Sequence, residues 1–237
     1  MTEKNSIVWI TGASSGIGKA IACEFVNNNI QVAASARSRE SLERLKKELD
    51  KGEKDIELFP MDVRLKEEVI GAYQKLSKEY EVDCLINNAG STSFKLAEEN
   101  TLEEIDEIVT TNLLGSLYTI KAVLPQMIER KKGTIINIIS VAAETVLKKS
   151  SVYAASKAGL LAYAKALREE VREHNIRVIN IIPGATRSPI WPNFALEKYG
   201  DRMMSPAELA GLIHHVYNIK SNLVTEEITI RPIKGDL

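Results

Sequence analysis

A short apolar strand pattern, Ser6 to Ile10, runs straight into Thr11-Gly12-Ala13-Ser14-Ser15-Gly16-Ile17-Gly18 and then into a helical pattern from Lys19 to Asn28. Strand, glycine turn and helix in that order open a parallel α/β unit, because the turn must reverse the chain and still let the helix pack back on the strand. Gly12 lets the chain turn sharply, Gly16 lets backbone N–H groups approach a pyrophosphate, and Gly18 lets helix and strand pack closely, with the anion seated on the helix N-terminus. The spacing is Gly-x-x-x-Gly-x-Gly, so the run also reads as an ordinary tight turn until other features join it.

The same beat continues along the chain. Gln31 to Ala36 precedes a charged helix from Arg39 to Asp50; Ile56 to Met61 precedes a helix through Lys66 to Tyr80; then comes Val82 to Asn87. A long helical segment from Leu102 to Arg130 leads to Thr134 to Ile139, and a helix from about Ser150 to His174 leads to Ile176 to Ile182. The strand runs are rich in Val and Ile without alternation, the pattern of strands covered on both faces. The fold class expected is α/β: a Rossmann-type doubly wound parallel sheet with helices on both faces, residues 1–237 forming a single domain and ligands lying in the crevice at the carboxyl ends of the strands.

Composition narrows the function. The 237 residues are 44% hydrophobic, enough for one large core, and the formal net charge of −1 offers no basic field for nucleic acid. Cys23 and Cys84 fall in a helix pattern and a strand pattern, and only three histidines accompany them, so buried thiols are expected, with no disulfide and no metal site. The opening Met-Thr-Glu-Lys-Asn-Ser has no apolar signal segment, and no run approaches the length of a membrane span. The expectation is a cytoplasmic protein with no membrane or nucleic-acid partner.

Chemistry concentrates in Ser-Ser-Val-Tyr-Ala-Ala-Ser-Lys, where Tyr153 and Lys157, four residues apart, share one helix face. A fixed ammonium favours phenolate and is expected to pull the Tyr153 pKa down, toward a range in which the group both gives and takes a proton. That is the chemistry of carbonyl/alcohol interconversion. At the end of the second strand stands Arg37, where an NAD binder carries an acidic residue for the ribose 2′-hydroxyl; an arginine there accommodates a 2′-phosphate, and NADP(H) is expected in preference to NAD(H).

Taken in order, Thr11-Gly-Ala-Ser-Ser-Gly-Ile-Gly18, Asp62, Asn87-Asn-Ala-Gly90, Asn112, Ser140, Tyr153-x-x-x-Lys157 and Pro183-Gly184 resemble the short-chain dehydrogenase/reductase family over essentially the whole chain. Ser140 lies thirteen residues before Tyr153, as the family pattern expects. The resemblance implies that Tyr153 exchanges a proton with the substrate oxygen and that Ser140 hydrogen-bonds the same oxygen. It implies that Lys157 holds the nicotinamide ribose and lowers the Tyr153 pKa, and that Asn112 holds a water linking Lys157 to solvent. It further implies that Ser14, Ser15 and Ile17 line the ribose and pyrophosphate, and that Arg37 with Ser38 meets the 2′-phosphate. Asp62 with Val63 would border the adenine, and Asn88, Ala89 and Gly90 would form the floor. After Pro183-Gly184, Thr186 stands where the family tends to carry Val, and Ser188 keeps the hydroxyl that holds the carboxamide.

Residues 186–204 read as a substrate lid, whose Trp191, Phe194, Tyr199 and two methionines suit an apolar pocket. Val141, Ala142 and Glu144 face the other side of that pocket in the family, and a buried Glu144 would disfavour anionic substrates. The expected substrate is a small ketone, aldehyde or hydroxy acid. A 3-oxoacyl carrier-protein reductase is the alternative, with Arg130, Lys131, Lys132 and Arg172 as candidates to hold an acidic carrier. A nonenzymatic NADP-binding regulator is a further one, disfavoured by the intact Asn112, Ser140, Tyr153 and Lys157. Relatives assemble as dimers or tetramers, so a homo-oligomer is expected.

Overall fold

Strands rich in Val and Ile leave no polar face, so each must be covered on both sides. In the computed structural model, which describes residues 4–49, 56–219 and 222–237, this is achieved by helices on two faces of one sheet. The chain runs β1 (Asn5–Thr11), α1 (Gly16–Asn27), β2 (Val32–Ser35), α2 (Arg39–Leu49), β3 (Ile56–Leu58), α3 (Lys66–Glu79), β4 (Tyr80–Asn87), α4 (Leu102–Val109), α5 (Gly115–Arg130), β5 (Gly133–Ile138), α6 (Ser151–Val171), β6 (Ile176–Pro183), α7 (Asn193–Tyr199), α8 (Pro206–Tyr217) and β7 (Glu227–Ile230). The strands are parallel, in the order β3-β2-β1-β4-β5-β6-β7. The order reverses between β1 and β4, which opens the crevice at their carboxyl ends. Asp50, expected to end the second helix, lies outside the described residues.

Alternate residues of each strand feed two separate cores. Val8 and Ile10 of β1 pack with Phe25, Leu42 and Leu209 under α1, α2 and α8. Ile7 and Trp9 pack with Val69, Ile120 and Leu167 under α3, α5 and α6. The Trp9 indole is fully buried, and its N–H donates to Ser35 Oγ at 2.9 Å, so the burial leaves no orphan donor. In α2 the buried Leu42 and Leu45 turn inward and the charged residues face water, as the pattern predicted. Cys23 is half-buried and Cys84 buried, both as free thiols. Among the described residues no helix is long and apolar enough to cross a membrane.

Two expectations are corrected. The helix expected over Leu102 to Arg130 is broken by a π turn at Thr110–Leu114, which places Asn112 on the inward side, fully buried. The strand expected to Met61 is regular only to Leu58; beyond it the Phe59 and Met61 N–H groups still donate to the Ala34 and Ala36 carbonyls at 2.9 and 3.0 Å, which carries the chain alongside the end of β2 to the crevice wall.

Candidate active site

The carboxyl ends of the strands surround a cavity of about 500 Å³. At its floor Thr11 accepts hydrogen bonds through Oγ1 from the backbone N–H groups of Asn88 (3.1 Å) and Ala89 (3.2 Å), and Asn88 Nδ2 donates to the carbonyls of Thr11 (3.0 Å) and Gly12 (3.2 Å). These bonds clamp the end of β1 to the end of β4 across the switch point. The clamp fits only because two side chains are absent. Gly12 has φ +66°, and a Cβ there would lie 2.8 Å from Ala89 Cα; at Gly18 a Cβ would lie 2.3 Å from both Gly12 O and Asn88 Nδ2. Gly18 thus packs its helix against the glycine turn itself.

Gly12, Ser14, Ser15, Gly16 and Ile17 line the cavity at the start of α1. Ser15 occupies the cap position without a side-chain capping bond, and the first turn of α1 holds no acidic residue. A helix end so left has its N–H groups and positive dipole end directed to an external anion, which fits the pyrophosphate of a dinucleotide. Arg37 is exposed, with its guanidinium 3.9 Å from Glu107. Ser38 accepts from the Ser41 N–H at 3.1 Å and so begins α2. Asp62 and Val63 form the adjoining wall. Burial alone would raise the Asp62 carboxyl, but its bonds to the Arg64 guanidinium, 2.6–3.0 Å, outweigh this and hold it below the usual carboxylate range.

At the other end Ser140, Tyr153 and Lys157 line the same cavity, with Ala89, Gly90, Pro183, Gly184, Thr186 and Ser188. Ser140 Oγ accepts from the Ala142 N–H at 3.2 Å, which fixes the hydroxyl at the start of a short turn over Val141–Ala143. Lys157 is buried; its Nζ donates to the Ile138 carbonyl at 2.8 Å and lies 5.8 Å from the centre of the Tyr153 ring. Burial pulls the Lys157 ammonium down to about 8. The Tyr153 phenol goes against expectation. Burial raises it, opposed by a hydrogen bond with Ser140, and the net shift is upward. The ammonium expected to lower it sits under the ring and spends a proton on Ile138, while the phenol loses more by leaving water.

Asn112 and Gly18 stand behind the wall, not on it. Asn112 Oδ1 accepts from Ser91 N–H (2.8 Å), and its Nδ2 donates to Ser91 O (2.9 Å) and Ser156 Oγ (2.9 Å). Ser156 Oγ in turn donates to the Tyr153 carbonyl at 2.7 Å. The Asn112 side chain therefore ties the loop after β4 to the first turns of α6.

Several pocket expectations change. Ile190 and Trp191 line the cavity, and Trp191 stacks on Phe94 with ring centres 5.0 Å apart. Phe194 is exposed instead, and neither Tyr199 nor the two methionines are among the lining residues. Glu144 is exposed too, so it cannot repel an anion from the pocket. The excursion from Thr186 to Met204 closes on itself, with Arg187 N–H donating to Met204 O at 3.0 Å and Met204 N–H to Ala185 O at 2.9 Å. Sequence reasoning missed Phe94, Glu107, Leu147 and Asp236, which also line the cavity. Phe94 had a signal, since it follows the Asn-Asn-Ala-Gly strand end by a few residues.

A family model for short chain dehydrogenase matches residues 6–198. An uncharacterized oxidoreductase of Staphylococcus saprophyticus is 32% identical over 97% of this chain and 98% of its own. Among solved structures, an alcohol dehydrogenase from the archaeon Thermococcus sibiricus complexed with 5-hydroxy-NADP superposes with a TM-score of 0.88 at 26% identity, covering 99% of each chain. A serine dehydrogenase complexed with NADP+ gives 0.89 at 27% identity, covering 98% of this chain and 96% of that one.

Proposed function

The chain belongs to the short-chain dehydrogenase/reductase family of NAD(P)-dependent oxidoreductases, and from that premise we propose that it interconverts a carbonyl and an alcohol with NADP(H), using Tyr153 as the acid and base. The observation that carries the reading is the shared cavity: the glycine turn and Arg37 at one end, Ser140, Tyr153 and Lys157 at the other. A nicotinamide bound there supplies or accepts the hydride at the reacting carbon.

The chain's own residues do the rest. Tyr153 gives its proton to the carbonyl oxygen in reduction and takes it back in oxidation. Its raised pKa keeps the phenol protonated near neutral pH, which is the form reduction needs. Ser140 holds the same oxygen, and its Oγ, accepting from Ala142, keeps its own proton to donate. Lys157, which lines the cavity, would hold the ribose hydroxyls of a bound nicotinamide, and Asn112 acts through α6 by holding Ser156 and thus the Tyr153 turn. Ser14, Ser15, Gly16 and Ile17 receive the pyrophosphate, Asp62 and Val63 border the adenine, and Thr186 and Ser188 border the carboxamide. Arg37 and Ser38 take the 2′-phosphate, a choice supported by the NADP-type ligands of the two solved relatives.

The test is a fluorescence titration with NADPH and NADH of the parent and Arg37→Ala, followed by turnover of Tyr153→Phe. The expected result is NADPH preference in the parent, a loss of roughly ten- to a hundredfold in NADPH affinity without Arg37, and collapse of turnover without the phenol. NADH preference would reverse the cofactor assignment; Tyr153→Phe turnover within tenfold of the parent would remove the role of Tyr153.

A further inference from the structure

A bulky residue rarely holds a positive φ, because its Cβ crowds the neighbouring carbonyl. Phe94 does so at +52°, and its loop is fastened on both sides: Ser93 Oγ donates to Asn100 Oδ1 at 2.5 Å, and Lys95 Nζ pairs with Glu104 at 2.6 Å. Earlier in the same loop Ser91 is held by Asn112, the side chain that also holds the Tyr153 turn through Ser156. The Phe94 ring is thereby set against Trp191, with centres 5.0 Å apart and planes 27° from parallel. Trp191 is fixed from its own side, its indole N–H donating to Thr186 O at 3.0 Å and its backbone N–H to Ser188 O at 3.2 Å.

The stacked pair joins two loops that the sheet keeps apart. Phe94 follows β4, Trp191 follows β6, and β5 lies between those strands. Their contact therefore spans the carboxyl end of β5, just beyond which Ser140 stands. Both rings line the cavity that Ser140 and Tyr153 also line. A strained backbone kept at such a place points to a task beyond packing. Charge narrows the task. Among the residues that line the cavity, the cationic side chains are Arg37, at the opposite end, and Lys157, whose Nζ donates to Ile138 O at 2.8 Å. A carboxylate held beside the rings would lose its hydration with no cation to replace it. A substrate ring, by contrast, gains from an aromatic neighbour roughly two- to tenfold in affinity beyond what its buried area supplies. We propose that Phe94 and Trp191 are specificity-determining residues that hold the larger substituent of the reacting carbon against an aromatic wall, so that the preferred substrates are uncharged aryl ketones and the matching alcohols; this rests on the carbonyl/alcohol reading above.

The experiment compares phenyl methyl ketone with cyclohexyl methyl ketone, by kcat/KM with NADPH and by calorimetric binding of each ketone to the NADP-bound protein. Parent, Phe94→Leu and Trp191→Leu are measured together, because leucine stays apolar and removes the flat face. The phenyl-to-cyclohexyl ratio is expected to fall roughly two- to tenfold in Phe94→Leu in both readouts, with NADPH affinity unchanged, and to move in the same sense in Trp191→Leu. In the parent, phenyl methyl ketone carrying a ring carboxylate is expected to be at least about tenfold poorer than the isosteric carboxamide. A ratio unmoved in Phe94→Leu overturns the proposal, as does a parent that takes the carboxylate as readily as the carboxamide, or one that reduces other carbonyls and no aryl ketone. The broader reading fails separately: it falls if the parent binds neither nicotinamide or if Tyr153→Phe still turns over the ketones, whereas normal dependence on Arg37 and Tyr153 with no effect of Phe94→Leu sinks the aromatic wall alone.

Discussion

Lys157 gives up its hydration shell to lie beneath Tyr153, with the Ile138 carbonyl as acceptor at 2.8 Å. Burial lowers its pKa from 10.5 to about 8, so the folded chain holds this proton less tightly than the unfolded chain does. The sign follows from linkage. Below about pH 8 both states are protonated and the full cost of the buried charge is felt; between about 8 and 10.5 the folded state is neutral, and the cost fades. Lys157→Met is therefore expected to be more stable than the parent by about 1–3 kcal/mol at pH 7, with the gap closing toward pH 10.5, while turnover falls about 10²- to 10⁴-fold. Urea denaturation of both proteins across this range reads it directly. A variant less stable than the parent at neutral pH would mean that the Ile138 bond outweighs the desolvation.

Among elements, the glycine turn and α3 make opposite predictions for the same change. Gly18→Ala would drive a methyl into Gly12 O and Asn88 Nδ2, forcing apart the clamp between β1 and β4. It should destabilise by about 1–3 kcal/mol and weaken nicotinamide binding with it. Gly71, inside α3, has nothing within 4 Å of the same position, so Gly71→Ala should stabilise by about 0.5–1 kcal/mol through helix propensity. Thermal melts of the two variants against the parent should move in opposite directions. Such elements were legible because local rules fix them: the strand, turn and helix at Thr11 to Gly18, the Val/Ile strands and the amphipathic Leu42 and Leu45 stripe. What escaped depends on contacts distant in sequence. The π turn at Thr110–Leu114 goes with the bonds from Asn112 to Ser91 and Ser156. The buried ladder of Asn87, Asn137 and Asn180, linked at 3.0 and 3.2 Å across three strands, exists only once those strands are in register. Asp236 reaches the cavity only because Gly184 lets the chain cross. The direction of the Tyr153 shift was not legible either, since the Lys157 spacing was plain and the depth of burial was not.

At the scale of the whole molecule, a parallel sheet has two unlike ends. The cavity occupies the carboxyl ends of the strands, whereas the basic group that would hold an acidic carrier sits at the amino ends, Lys131 and Lys132 just before β5 and Arg172 just before β6. These charges are also matched locally: Arg130 lies 3.6 Å from Glu81, Lys132 3.0 Å from Asp83, and Arg172 pairs with Glu169 and Glu226 at 2.8 and 2.7 Å. A carrier docked there would have to deliver its acyl group past the full length of the strands, about 17–20 Å for a typical strand, and would find most of the cations already paired. Reversing Lys131 and Lys132 together to Glu is therefore expected to leave kcat/KM for a small ketone within about twofold of the parent and to leave any activity on a carrier-bound ketoester equally unmoved. A selective loss on the carrier-bound substrate, with the small ketone unaffected, would restore carrier docking; loss of neither leaves substrate choice to the opposite end, where Phe94 stacks on Trp191.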